Sequence, residues 1–362
     1  MYFDKDYIIN AAESHLNEDN MHITDIICPL SDGDAHDFYS NGDYWWPNPD
    51  TADGLPYIRR DGQSNPNAFT AHRKILQQMK TAAADLAASY KISGNEKYAA
   101  KACSILYEFF IDKKTKMNES LCFAQAIPGI CSGRGIGIID TLHLIDIPYA
   151  VEALKASPSM SRELYTGIKK WFADYFLWMH THEYGLTEMN EFNNHGVCWF
   201  AQAAVFARFT DNFSWLEKCR RHFKEVLIPN QMADDGSFPA ELARTKPYSY
   251  SIFVVDNMCT ICRAASSADD NLWEFSLPDG RGIKKGIEFI YPFIADKNKW
   301  PYPPDIEHFE AFPAKASFLL FAGIAYNDKR LIGTWSKLKN ISADDDEEVI
   351  RNVAVKQPIL WI

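Results

Sequence analysis

Residues 71 to 91 place Ile75, Met79, Ala82, Leu86 and Tyr90 at three- and four-residue steps, the apolar stripe of an amphipathic helix. After Ser93-Gly94-Asn95 the same spacing returns over residues 96 to 112 in Tyr98, Ala102, Ile105, Phe109 and Phe110, so the two segments predict a helical hairpin. Comparable pairs are expected at 136–155 with 161–181, 194–209 with 214–227, 250–265 with 282–296, and 315–326 with 329–339. Strand-like alternation is almost absent. Consecutive helical hairpins imply an all-α chain built either as an α-solenoid or as an (α/α) toroid. The toroid, an incomplete barrel of helical hairpins, is preferred. The hairpins share no repeat signature, and the long loops between them hold the Gly, Pro, aromatic and Arg residues. No Ser/Gly/Pro-rich linker interrupts the sequence, so residues 1–362 read as one domain, with an irregular N-terminal arm and cleft loop through residue 70.

The composition is that of an ordinary folded chain, 47% hydrophobic and 23% charged, but its net charge of −11 argues against a nucleic-acid partner. The aromatic content of 14% suggests flat faces beyond those that packing recruits. The longest apolar run, Ser317 to Tyr326, is far short of the ~20 residues needed to span a bilayer, so no membrane role is expected. The opening MYFDKDYIIN has no apolar leader segment, which reads as cytoplasmic, or as periplasmic or secreted if a leader has been removed. Eight scattered cysteines do not form a disulfide framework, and the lone Cys259-x-x-Cys262 lacks the partners of a zinc site. Neither a metal nor a cofactor is expected.

Four segments look chemical. Asp43 to Asn67 is rich in Pro, Gly, Asn and Asp and reads as a loop. It carries Trp45-Trp46 and Arg59-Arg60, residues able to stack on a sugar and grip a carboxylate. The alternative is that the tryptophans plug the barrel end and the arginines pair with surface acids. Ala124 to Asp140 contains SGRGIG, which lacks the GxGxxG and GK[ST] patterns and a preceding strand, so a nucleotide site is not expected. Arg134, between two glycines, reads as an anion contact on a tight turn. Asn193-Asn194-His195-Gly196 opens a helix, where an Asn can serve simply as a cap. The segment from Phe238 to Phe253 crowds Glu241, Arg244, Lys246, Tyr248 and Tyr250, and Pro247 should leave Arg244 on a loop and Tyr250 at a helix entry. An amide, an imidazole, a guanidinium and a phenol suffice to remove a proton next to a masked carboxylate without a metal. Arg244 close to Tyr250 would prime the phenol as a base.

At these residues the sequence resembles the metal-independent alginate lyase family of (α/α)-toroid polysaccharide lyases. Within it, the similarity is greatest to the bacterial alginate and glucuronan lyases of polysaccharide lyase family 38. The stretches that carry it are DFYSNGDYWWPNPDTADGLPYIRRDGQSNPNAFTAHR, AQAIPGICSGRGIGIIDTLHLI, NNHGVCW, NQMADDGSFPAELARTKPYSYSIF and KWPYPPD. A departure is Val254-Val255-Asp256, where related sequences tend to read Asn-Leu-Asp. The resemblance implies β-elimination on an acidic polysaccharide, a 1,4-linked polyuronate, with alginate before glucuronan. It implies Asn194, His195, Arg244 and Tyr250 as catalytic residues, with Tyr250 preferred to Tyr248 as the base. Trp45, Trp46, Arg59, Arg60, Arg134, Asn193, Lys246 and Tyr248 would bind substrate. A monomer or homodimer is expected. Two other readings stay open: an inverting glycoside hydrolase using Glu241 and Asp235, and a carbohydrate-binding protein without catalysis.

Overall fold

The structure, a computed structural model, describes residues 2–342 and 344–362. The chain forms two compact units: one runs through Glu188 and takes back Val355–Ile362, and the other spans Met189–Ala354.

The first unit opens with α1 (Lys5–His15), capped by Asp4, whose side chain accepts from the Tyr7 amide. The arm is therefore not irregular throughout. Ile8 and Ala12, four residues apart, bury one face of this short helix against α2 (Ala71–Ser93). The α2 helix ends on Gly94 in the left-handed region at φ 66°, and Asn95 at once caps α3 (Glu96–Phe110). The Ser-Gly-Asn turn thus makes the expected hairpin. α4 (Asp146–Leu154) and α5 (Arg162–Thr181), capped by Ser161, follow, and α6 (Glu183–Met189) ends at the unit boundary. The helix expected from residue 136 begins instead as a 3₁₀ segment, Gly135–Ile145. Pro148 supplies no N–H for the Leu144 carbonyl, so the α-helical ladder starts only at Asp146. Two small sheets complete the unit. β1 (Tyr39–Asn41) pairs in parallel with β4 (Phe123–Ala126), and β2 (Trp45–Trp46) pairs antiparallel with β3 (Ile58–Arg59).

The returning C-terminal segment is fastened by polar bonds. Asp146, fully buried, accepts from the Trp361 indole at 2.7 Å and the Lys356 amide at 2.6 Å, while the Gln357 side chain donates to Asp85 at 2.6 Å. Burial pulls the neighbouring Lys80 ammonium down to about 8, against the opposing attraction of Asp146 and Asp85.

In the second unit the long pair α7 (Asn194–Phe209) and α11 (Pro247–Ala265) forms the core, both helices buried along nearly their whole length. α8 (Phe213–His222) packs on α7 and continues through a π-helical turn, Phe223–Leu227, into α9 (Ile228–Gln231). The wider turn accommodates Pro229, which cannot donate to the preceding turn. α10 (Pro239–Leu242), α12 (Ile283–Ala295), α13 (Phe318–Ala325), α14 (Lys329–Lys337) and α15 (Glu347–Asn352) follow. α11 starts at Pro247, three residues before the expected 250, because proline at the first helical position lacks only an N–H that would be orphaned anyway. Its next two amides, of Tyr248 and Ser249, donate to the buried Asp305 carboxylate at 2.8 and 3.0 Å. Cys259 and Cys262 are both buried core thiols of α11. No helix among the described residues is long and apolar enough to cross a membrane.

Candidate active site

In the second unit the NNHG segment forms the first turn of α7. Asn193 is the cap, and its Oδ1 accepts from the His195 amide at 2.8 Å. Gly196 is required by close approach: a Cβ there would lie 2.1 Å from the Glu191 carbonyl oxygen. Asn194 is buried and held by Glu241 of α10. The Glu241 carboxylate accepts the Asn194 main-chain N–H at 2.7 Å through one oxygen and Nδ2 at 2.6 Å through the other. Burial raises the Glu241 carboxyl, while the Asn194 bonds and the charges of His195 and Arg244 lower it. Arg244 sits on the loop after α10, its guanidinium carbon 4.8 Å from the centroid of the Tyr250 ring, in the first turn of α11. His195 and Arg244 are half-buried, and Tyr250 is 7% exposed. An amide, an imidazole, a guanidinium and a phenol thus share one end of the α7–α11 pair.

The first unit holds the candidates Trp45, Trp46, Arg59, Arg60 and Arg134. The Arg134 guanidinium lies 5.8 Å from the Trp45 ring, and Nε donates to the Gln125 carbonyl oxygen at 2.9 Å. Gln125, at φ 53°, donates through Nε2 to Asp140, which also takes a 2.5 Å bond from Ser40 and pairs with the buried Arg73. Arg73 in turn binds both oxygens of Asp43, at the base of the Trp45 loop. Gly42 leaves room for the stack, since a Cβ there would meet Trp45 at 2.7 Å and Arg134 at 2.8 Å. The glycines flanking Arg134 likewise serve close packing, Gly133 against the Cys122 carbonyl and Gly135 against that of Tyr184, rather than a left-handed turn. Burial lowers the Arg134 pKa, and the nearby charge of Arg59 lowers it further. Arg60 lies 4.8 Å over Trp46, and Arg59 pairs with Asp61 at 2.6 Å on the surface. The SGRGIG loop does follow a strand, contrary to expectation. That strand is β4, four residues long and too short to show as alternation in the sequence.

The alginate lyase family profile matches residues 30–300. A solved alginate lyase from Bacteroides ovatus is 32% identical over 97% of this chain and 92% of its own, with a TM-score of 0.84. The chain belongs to the alginate lyase family. It is a polysaccharide lyase, and the all-α, (α/α)-toroid class expected from its hairpins stands. Alginate lyase A1-III from Sphingomonas species A1 shares the fold at 14% identity, covering 92% of this chain and 90% of its own with a TM-score of 0.57. No curated protein sequence matches.

Within this lyase, two expected substrate contacts fall elsewhere. Lys246 is fully buried, its ammonium 3.4 Å from Glu307 and 3.5 Å from Glu348, so it does not reach solvent. Tyr248 is also fully buried. Its hydroxyl donates to the Phe293 carbonyl at 2.9 Å among Trp300 and Phe309, and burial raises its pKa strongly. Helical spacing turns residues 248 and 250 to different faces of α11, and only Tyr250 meets Arg244. The family match sets the hydrolase reading aside, and both oxygens of Glu241, its candidate acid, are engaged by Asn194. Sequence reasoning weighed Glu241 only as that acid and missed its grip on Asn194. It missed Gln125, Gly42 and Asp305 entirely. Their signals, a Glu three residues before an Arg and single Gln, Gly and Asp residues in loops, carry no spacing that marks a partner.

Proposed function

We propose that this lyase depolymerises a 1,4-linked polyuronate by β-elimination, with alginate as the first substrate and glucuronan of the same mechanism second. The observation that carries the reading is the Arg244 guanidinium over the Tyr250 ring, with Asn194 and His195 at the neighbouring helix end. The α-proton of a uronate is a weak acid until its carboxylate charge is masked. Donors from Asn194 and Arg244, with His195, supply that mask and stabilise the charge that develops on the carboxylate as C5 loses its proton. The Tyr250 phenolate takes the C5 proton, the C4–O4 bond breaks as the C4–C5 double bond forms, and the phenol so formed gives its proton to the leaving O4, which restores the phenolate. The fixed charge of Arg244 over the ring favours the phenolate that accepts the proton. His195 replaces Tyr250 as base where the C5 proton lies on the opposite face. Trp45, Trp46, Arg59, Arg60 and Arg134 contact the acidic sugar chain by stacking and charge.

The solved Bacteroides ovatus relative named as an alginate lyase, at 32% identity, supports alginate as the first substrate. The test is the ultraviolet absorbance of unsaturated product from polymannuronate, polyguluronate and glucuronan. Tyr250→Phe should lower kcat by ~10²–10⁴ while leaving the fold intact. No unsaturated product from any of the three, or full activity in Tyr250→Phe, refutes the reading.

A further inference from the structure

Asn194 is gripped by one carboxylate on both its main chain and its side chain. Glu241 lies 47 positions away, is 1% exposed, and spends each oxygen on a different N–H of that one residue. A carboxylate can only accept, so the bond fixes which end of the Asn194 amide is nitrogen: Nδ2 faces Glu241 and Oδ1 faces away. Both Nδ2 hydrogens lie in the amide plane. Holding one on Glu241 therefore aims the other in a set direction. The Asn194 main chain is itself immobilised as the first residue of α7, between the Asn193 cap and the tight packing of Gly196 on Glu191. Burying a carboxylate is unfavourable, and a lone surface cap for α7 would have been satisfied by Asn193 alone.

Resting on the reading above, we propose that Glu241 is a positioning residue of the elimination, acting through Asn194: it aims the amide N–H that meets the substrate carboxylate. The charge that the amide faces grows as C5 loses its proton, so the effect belongs to kcat more than to KM.

Glu241→Gln tests this with little change of volume. The Asn194 main-chain N–H cannot turn, so the new carbonyl oxygen must take it, and the new NH₂ then faces the Asn194 side chain. The Asn194 amide rotates to accept through Oδ1, which keeps the number of bonds and moves its N–H groups to the wrong side. The expected result is a loss of ~10-fold or more in kcat, within the range for a displaced transition-state donor, with KM changed by less than ~3-fold and the thermal midpoint nearly unchanged. In an Asn194→Ala background the same substitution should cost nothing further, because the residue it acts through is gone. That background also leaves space opposite the new amide, so the comparison of Asn194→Ala with the double variant reads the coupling even where the single variant folds poorly. Additive losses in the cycle, or a single variant with wild-type kcat, overturn the proposal. A wild-type enzyme that yields no unsaturated product overturns instead the reading on which it rests.

Discussion

Asp256 sits in the middle of α11, six residues beyond Tyr250, and is fully buried. Its Oδ1 accepts from the Ser317 hydroxyl at 2.9 Å and the Phe318 amide at 2.8 Å, tying α11 to the start of α13. Burial raises its pKa from 3.8 to about 6, and the bonds from Ser317 and Phe318 only partly offset this. A group whose folded pKa lies above its unfolded one retains its proton longer in the native state, so it stabilises the fold at low pH. That stability is lost as pH rises from about 4 through about 6. The shift of about 2 units corresponds to about 3 kcal/mol at neutral pH and above. Asp256→Asn removes the charge but keeps Oδ1, which can still accept both bonds. The new NH₂ gives back about 1 kcal/mol in lost solvation. The variant should therefore be about 1–3 kcal/mol more stable than wild type at pH 8, with the advantage vanishing below about pH 4. Denaturant unfolding of both proteins across pH 4–8 measures the difference directly and cancels the other titrating groups. A difference that does not change with pH, or a variant less stable than wild type at pH 8, refutes the reasoning.

Gly42→Ala, at a position whose φ any residue can adopt, should act through its Cβ alone, which must displace the Trp45 ring or Arg134. If that pair holds the sugar chain, KM on a polyuronate rises by about 3- to 30-fold with little change in kcat, the loss of a cation–π pair of about 1–2 kcal/mol. An unchanged KM removes the pair from substrate binding. Tyr248→Phe should leave turnover intact and lower stability by about 1–2 kcal/mol, because it removes only the buried bond to the Phe293 carbonyl. A large loss of turnover with no loss of stability would return Tyr248 to the chemistry.

Much of the helical skeleton is legible because it is written locally. The α2–α3 hairpin follows from an apolar stripe, a left-handed Gly94 and a capping Asn95, all within a few residues of one another. Where a nearby proline intervened, at Pro148, Pro229 and Pro247, periodicity extended or shifted the elements, because it records which face is buried and not which N–H groups exist. The stretch from Asp43 to Asn67 reads as a loop from its Pro, Gly, Asn and Asp content, yet it holds a two-residue ladder, Trp45–Trp46 with Ile58–Arg59. Pairing between such short segments leaves no alternation to detect.

By itself the sequence determined that the chain is helical and marked four segments where candidate residues for the chemistry gather, since caps, turns and periodicity act over distances of one to four residues. The tertiary structure alone decided what each residue in those segments meets. It sent Tyr248 and Lys246 into the core while Tyr250 met Arg244, set Trp45 beside Arg134 across 89 positions, and turned Glu241 from a candidate acid into the clamp on Asn194. The reason is physical: which face of a helix is buried, and which donor meets which carboxylate, depends on the packing of elements far apart in the chain. Burial then fixes whether a polar group is satisfied inside or left to meet a substrate.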